Sequence, residues 1–180
     1  IDAPIHFAEG KHAVDEIPLA QLMGPARVIH IVDRCRVDCD YRLAPEDILH
    51  EEEEHGRIQP GSIVLVRTGY GEFYPDLRQY LGTDDRGDAV RLHFPGIGEQ
   101  AARLLVERKV DAVGLDTASL DYGASTDFIA HRVLMEANIP GLENLANLDR
   151  LPRIGAWVIA LPMKFEGGTG GPCRIVAVLP

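Results

Sequence analysis

Cysteine is scarce. The 180 residues hold three, Cys35, Cys39 and Cys173. An odd count in a chain of this length argues against a disulfide framework and for the reduced thiols of a cytoplasmic protein. Cys35 and Cys39 stand four apart, but no second Cys or His pair follows at zinc-finger spacing. Long apolar runs are missing as well. No uncharged, mostly apolar stretch exceeds ten residues, Ile154 to Met163 being one, against the ~18 or more that a membrane span needs. A basic stripe is also lacking. Eighteen Lys and Arg face 28 Asp and Glu, a net charge of −10, which speaks against nucleic acid and anionic membrane surfaces as partners. Neither Gly69-Tyr70-Gly71 nor the glycine-rich stretch 167–172 carries the Gly-Lys-Ser/Thr ending of a phosphate loop, and no G-x-S-x-G elbow surrounds Ser119 or Ser125.

What remains is an ordinary globular balance, 46% hydrophobic and 26% charged, long enough for one domain with its own core. β-Branched runs predict strands over Arg27–Val32, Ser62–Arg67, Ala112–Leu115, Ala156–Leu161 and Arg174–Leu179. Apolar spacing predicts helices over Gly98–Lys109 and Ser125–Asn138, the latter with Ser125 and Thr126 as capping candidates. A third helix starts at Ala44-Pro45-Glu46-Asp47, with Ile48, Leu49 and Ile58 on its buried side and Glu51 to Glu54 as a solvated face. Residues 69–95 read as a long loop with interspersed tyrosines, a candidate for substrate contact. Strands and helices alternate in the middle and strands cluster at the end, so the expected class is α/β with a mixed sheet flanked by helices.

Three places can carry chemistry. In Asp2-Ala3-Pro4-Ile5-His6, Pro4 stiffens a non-helical segment that holds a carboxylate and an imidazole four residues apart. His131 sits mid-helix among Phe128, Leu134 and Met135, where a core histidine is the plain alternative. Glu143 follows a Pro-Gly break among Leu142, Leu145 and Leu148, and a carboxylate buried there must be paired, protonated or bound to a metal. A helix, a break and a return would bring His131 and Glu143 together. The stretch Pro162–Pro172 reads as a tight glycine connection between two strands, and Cys173 as a small packed residue.

In combination these pieces resemble the cyclase-like family of metal-dependent hydrolases, which includes kynurenine formamidase and isatin hydrolase. Asp2 to His6 matches the second half of the family pattern H-x-G-T-H-x-D-x-P-x-H. His93-Phe94-Pro95-Gly96, Gly114-Leu115-Asp116-Thr117 with Ser119 and Asp121, Glu143-Asn144-Leu145 and Gly167–Pro172 with Arg174 follow in the family's order. The resemblance covers essentially all 180 residues as one hydrolase domain and implies a swivelling β/β/α fold. It also implies an upstream segment, because both histidines of H-x-G-T-H precede Ile1.

By the same resemblance Asp2, His131 and Glu143 are metal ligands, and His6 is the general acid/base. The implied cofactor is a divalent ion, zinc first and manganese as the alternative. The implied activity is hydrolysis of a formamide or cyclic amide by water that the ion activates. A cyclase or dehydratase, a lactone hydrolase and a non-catalytic binding member are the alternatives. The expected partners are a small amide or lactam substrate and further copies of the chain in a homo-oligomer.

Overall fold

The computed structural model describes residues 1–85 and 91–180. Its centre is a six-stranded mixed sheet in the order β6-β5-β3-β1-β7-β8. The strands are β1 (Met23–His30), β3 (Ile63–Arg67), β5 (Ala112–Leu115), β6 (Gly141–Leu142), β7 (Trp157–Pro162) and β8 (Cys173–Val178). The first four run parallel, and β7 and β8 add an antiparallel edge. A two-stranded parallel pair, β2 (Arg42–Leu43) with β4 (Gly96–Ile97), lies apart from it.

The fold class expected from the sequence is therefore present, and the sheet explains the residue pattern. β3 and β5 are central and buried on both faces, so they read as continuous apolar runs, IVLV and AVGL. β8 is an edge strand and alternates half-buried with exposed residues. The helices are α1 (Val32–Val37), α2 (Pro45–His55), α3 (Leu77–Leu81), α4 (Glu99–Glu107) and α5 (Ile129–Glu136). The largest apolar cluster joins Ile29, Val64, Val66, Val113 and Leu115 of the sheet to Ile48, Ala101, Ala102, Leu105, Leu134 and Met135 of α2, α4 and α5. A second cluster contains Val28, Leu65, Leu142, Val158 and Ala160.

Several local expectations are corrected. Val32 ends no strand; it opens α1. Ser125 and Thr126 do not cap α5, which begins only at Ile129. The capping oxygens come from Asp121, which accepts the N–H groups of Ala130 (2.8 Å) and His131 (3.1 Å) from outside the helix. Leu49 is exposed, while Ile48 and Ile58 are buried.

The Glu51–Glu54 run is not one solvated face. Glu51 is 2% exposed and pairs with Arg153 at 2.7 Å, and Glu52 pairs with Arg108 at 2.7 Å. Four like charges in sequence are legible; the arginines that neutralise two of them, at 153 and 108, are not local. The long loop is partly ordered as well. A 3-10 turn covers Tyr70–Phe73 and α3 follows; Tyr70 and Tyr80 are buried in the core, whereas Tyr74 is exposed. Residues 86–90 of that stretch lie outside the described part.

Candidate metal centre

Asp2 is held as a single rung between two elements. Its N–H donates to the Gly141 carbonyl and its carbonyl accepts the Gly141 N–H, at 2.9 and 3.0 Å. On its other side it bridges Gly170, in the glycine-rich connection of β7 and β8. That connection also accepts the Ala3 and Val14 N–H groups, at Thr169 and Gly168. The Pro162–Pro172 stretch is thus the expected strand connection, and it also clasps the N-terminal segment. A Cβ on Gly170 would lie 2.7 Å from the Ile1 carbonyl oxygen and 3.0 Å from Asp2 Oδ1, so this close approach requires glycine.

His131 lies on the first turns of α5, 2% exposed. Its Nδ1–H donates to Asp121 Oδ2, 2.6 Å away. The opposite nitrogen, Nε2, faces Glu143 Oε1 at 3.1 Å and Asp2 Oδ2 at 3.6 Å. The same Glu143 oxygen accepts the Leu120 N–H at 3.0 Å, and β6 brings Glu143 back beside α5. Phe7 and Phe128 flank the imidazole, with ring centroids 4.6 and 6.3 Å away. His6 closes a 3-10 turn over Pro4–His6, half-exposed, its Nε2 3.9 Å from Asp2 Oδ2. The sequence-derived set of Asp2, His6, His131 and Glu143 therefore converges on one place.

Asp121 was legible only as part of a motif. No local spacing reveals that its carboxylate reaches over nine residues to orient His131. Its arrangement is that of a carboxylate–histidine pair, which fixes the tautomer and leaves the outer nitrogen free to bind.

Three carboxylates, Asp2, Asp121 and Glu143, surround one imidazole. Burial alone would disfavour its charged form, but the hydrogen bonds to Asp121, Asp2 and Glu143 prevail and push His131 up to about 10. Burial by itself would raise Asp2, yet the His131 contact and the charge of His6 hold it below the usual carboxylate range. Even with His131 protonated, two of the three negative charges have no counter-charge within this group, and a divalent cation would supply it.

The donor set fits such an ion. One ligand atom each from Asp2, His131 and Glu143 lies within 4.8 Å of the others. Zinc bonds of ~2.0–2.2 Å at a tetrahedral angle separate neighbouring ligands by ~3.3–3.6 Å, close to the 3.1 and 3.6 Å found here.

Beside Glu143 opens a cavity of about 450 Å³ whose lining mixes Leu65, Leu148 and Val158 with Asn144, Asn147 and Arg150. Apolar wall and polar groups together suit a small molecule that carries both.

A mixed sheet flanked by helices, with a carboxylate–imidazole cluster that shares Glu143 with a neighbouring cavity, defines a metal-hydrolase type of site. The family model described as "Putative cyclase" matches residues 1–122, and the chain belongs to that family. It is 35% identical to the isatin hydrolase of Roseibium aggregatum, over 99% of this chain and 70% of that protein. It is 31% identical to the kynurenine formamidase of Bordetella petrii, over 97% and 72%. The crystal structure of an isatin hydrolase bound to the product analogue thioisatinate superposes with a TM-score of 0.91 at 33% identity, covering 99% of this chain and 70% of that one. A structure described as a potential metal-dependent hydrolase with cyclase activity matches at a TM-score of 0.70 and 26% identity, over 97% and 74%.

Proposed function

We propose that the chain is a metal-dependent hydrolase that opens a formamide or a cyclic amide. The observation that carries this reading is the convergence of Asp2, His131 and Glu143, remote in sequence, around the outer nitrogen of a histidine that Asp121 orients. The relatives' names, isatin hydrolase and kynurenine formamidase, support the C–N bond as the target. Asp2, His131 and Glu143 would hold the ion, zinc first and manganese as the alternative, since carboxylate and imidazole donors suit both. When bound, the ion lowers the pKa of water and polarises a carbonyl.

The protein supplies the rest. Asp121 keeps the Nε2 lone pair of His131 aimed inward. The cavity beside Glu143 receives the substrate, its leucines and Val158 against the ring and its Asn and Arg side chains against polar groups. His6, half-exposed and 3.9 Å from Asp2, beyond hydrogen-bond distance, takes a proton from water and returns it to the leaving nitrogen.

Exposed apolar side chains on the outer face of β7 and β8, Trp157, Leu161, Val176 and Val178, support homo-oligomer formation. The three free cysteines support a cytoplasmic location. No helix among the described residues is long and apolar enough to cross a membrane.

A substrate panel of N-formyl aromatic amines, isatin-like lactams and lactones, assayed with metal-reconstituted protein, tests the reading. Turnover of amides or lactams is expected. Turnover of none of these, with metal bound, would contradict it.

Two further outcomes follow. Gly170→Ala forces the Asp2 rung aside and is expected to weaken metal binding about tenfold or more while the sheet stays folded, as read by metal titration and circular dichroism. Next, the folded-state pKa of His131, about 10, lies above the ordinary 6.5. In metal-free protein its stabilisation is complete below about pH 6.5 and is lost as pH rises toward 10. Denaturant titrations should show stability declining through that window, by at most about 1.4 kcal/mol per pH unit. The slope should be absent in His131→Gln.

A further inference from the structure

Besides the centre just described, two groups among the described residues bring three metal-type donors together: Glu51 with Glu54 and His55, and Cys39 with Asp40 and His93. The first is already neutralised. Glu51 faces Arg153 at 2.7 Å and Arg27 at 3.6 Å, and a cation there would meet two guanidinium groups. The second is different. Cys39 is exposed, so an ion and its water can reach it. His93 Nδ1 stands 2.8 Å from Asp40 Oδ2, while Asp40 Oδ1 is buried with no hydrogen-bond partner. A carboxylate oxygen of Asp40 that has no partner is one that a bound cation would satisfy. The three donor atoms lie within 4.8 Å of one another.

We propose that Cys39, Asp40 and His93 form a second binding site for a thiophilic divalent cation of the zinc class, open to solvent in its remaining positions. The donor mixture selects the ion. A thiolate with an imidazole and one carboxylate suits zinc or cobalt, whereas magnesium and calcium want oxygen throughout. On binding, the Cys39 thiol gives its proton to solvent and the sulfur bonds the ion as thiolate; no oxidant or reductant takes part.

The placement suggests a structural use. Cys39 and Asp40 lie in the turn between α1 and β2, and His93 lies in the approach to β4. Those two strands form the small parallel pair, and the Tyr41 carbonyl already accepts the Gly96 N–H at 3.0 Å. An ion would clip together the two chain segments that lead into that pair.

Cobalt reports the site separately from the first centre, whose ligands include no sulfur. Cobalt titration of the protein should give a thiolate-to-cobalt charge-transfer band. The band should vanish in Cys39→Ser and persist in Cys173→Ser and Glu143→Gln. His93→Gln should weaken the affinity read from the band about tenfold or more. No band in the unmodified protein would overturn the proposal, as would a band that does not follow Cys39. An affinity unchanged by His93→Gln would reduce Cys39 to a surface thiol and overturn it equally.

Discussion

His131→Ala is expected to abolish uptake of the divalent ion at the centre formed by Asp2, His131 and Glu143, and turnover with it. The reasoning rests on what the imidazole does in the fold. Its Nδ1 is committed to Asp121 at 2.6 Å, so Nε2 is the ring's one remaining donor, and it is aimed between Asp2 and Glu143. Alanine removes that donor and leaves three carboxylates facing an empty space. Because His131 is buried, loss of folding must be separated from loss of the ligand. Glu143→Gln does this: it keeps the shape and the acceptor for the Leu120 N–H but loses the charge. It should lose ion binding at this centre while its circular dichroism stays unchanged. Asp121→Asn acts one step removed, through the orientation of His131, and should cost about 10–100-fold in metal affinity. Equal losses in Asp121→Asn and His131→Ala would mean that the histidine is a structural member of α5 and no ligand.

His6→Ala carries the second large effect, and its signature is the opposite one. The ion should remain bound, because His6 Nε2 is 3.9 Å from Asp2 and outside the group of three ligand atoms. The kcat should drop by about 10²–10⁴, the usual contribution of general acid–base catalysis. Metal content by elemental analysis and kcat from the same preparation check both halves. A kcat within about twofold of the unmodified enzyme would remove His6 from the proton transfer. Loss of metal would instead make it a ligand.

The sequence carried these residues unevenly, for physical reasons. Central strands are legible because burial on both faces demands unbroken apolar runs, as in Ile63–Val66 and Ala112–Leu115. The Pro-Gly break before Glu143 announced the return that places it beside His131. Asp121 was not assignable, because its role is a side-chain reach to the N-terminus of α5 from a turn outside the helix. Ser125 and Thr126 looked like caps since capping preferences are local, and a better-placed distant carboxylate took the position. Glu51 looked solvated because sequence shows a charge run and hides the partner, Arg153, that comes from near the end of the chain. The tyrosines of the 69–95 stretch divide between core and surface for a related reason. Aromatic residues in an irregular segment can face a ligand or the core, and Tyr70 and Tyr80 turn inward. Single-residue rungs such as Asp2 between Gly141 and Gly170 have no periodicity at all, and only the glycines hint at the close approach.

Anomalous diffraction at the zinc edge, on crystals of the zinc-loaded protein, reads the arrangement of the centre directly. The expected result is an ion peak at bonding distance, ~2.0–2.2 Å, from a carboxylate oxygen of Asp2, from Nε2 of His131 and from a carboxylate oxygen of Glu143, with His6 nearby and unbonded. A peak bonded to other side chains, or no peak among these three with zinc elsewhere in the crystal, would contradict it.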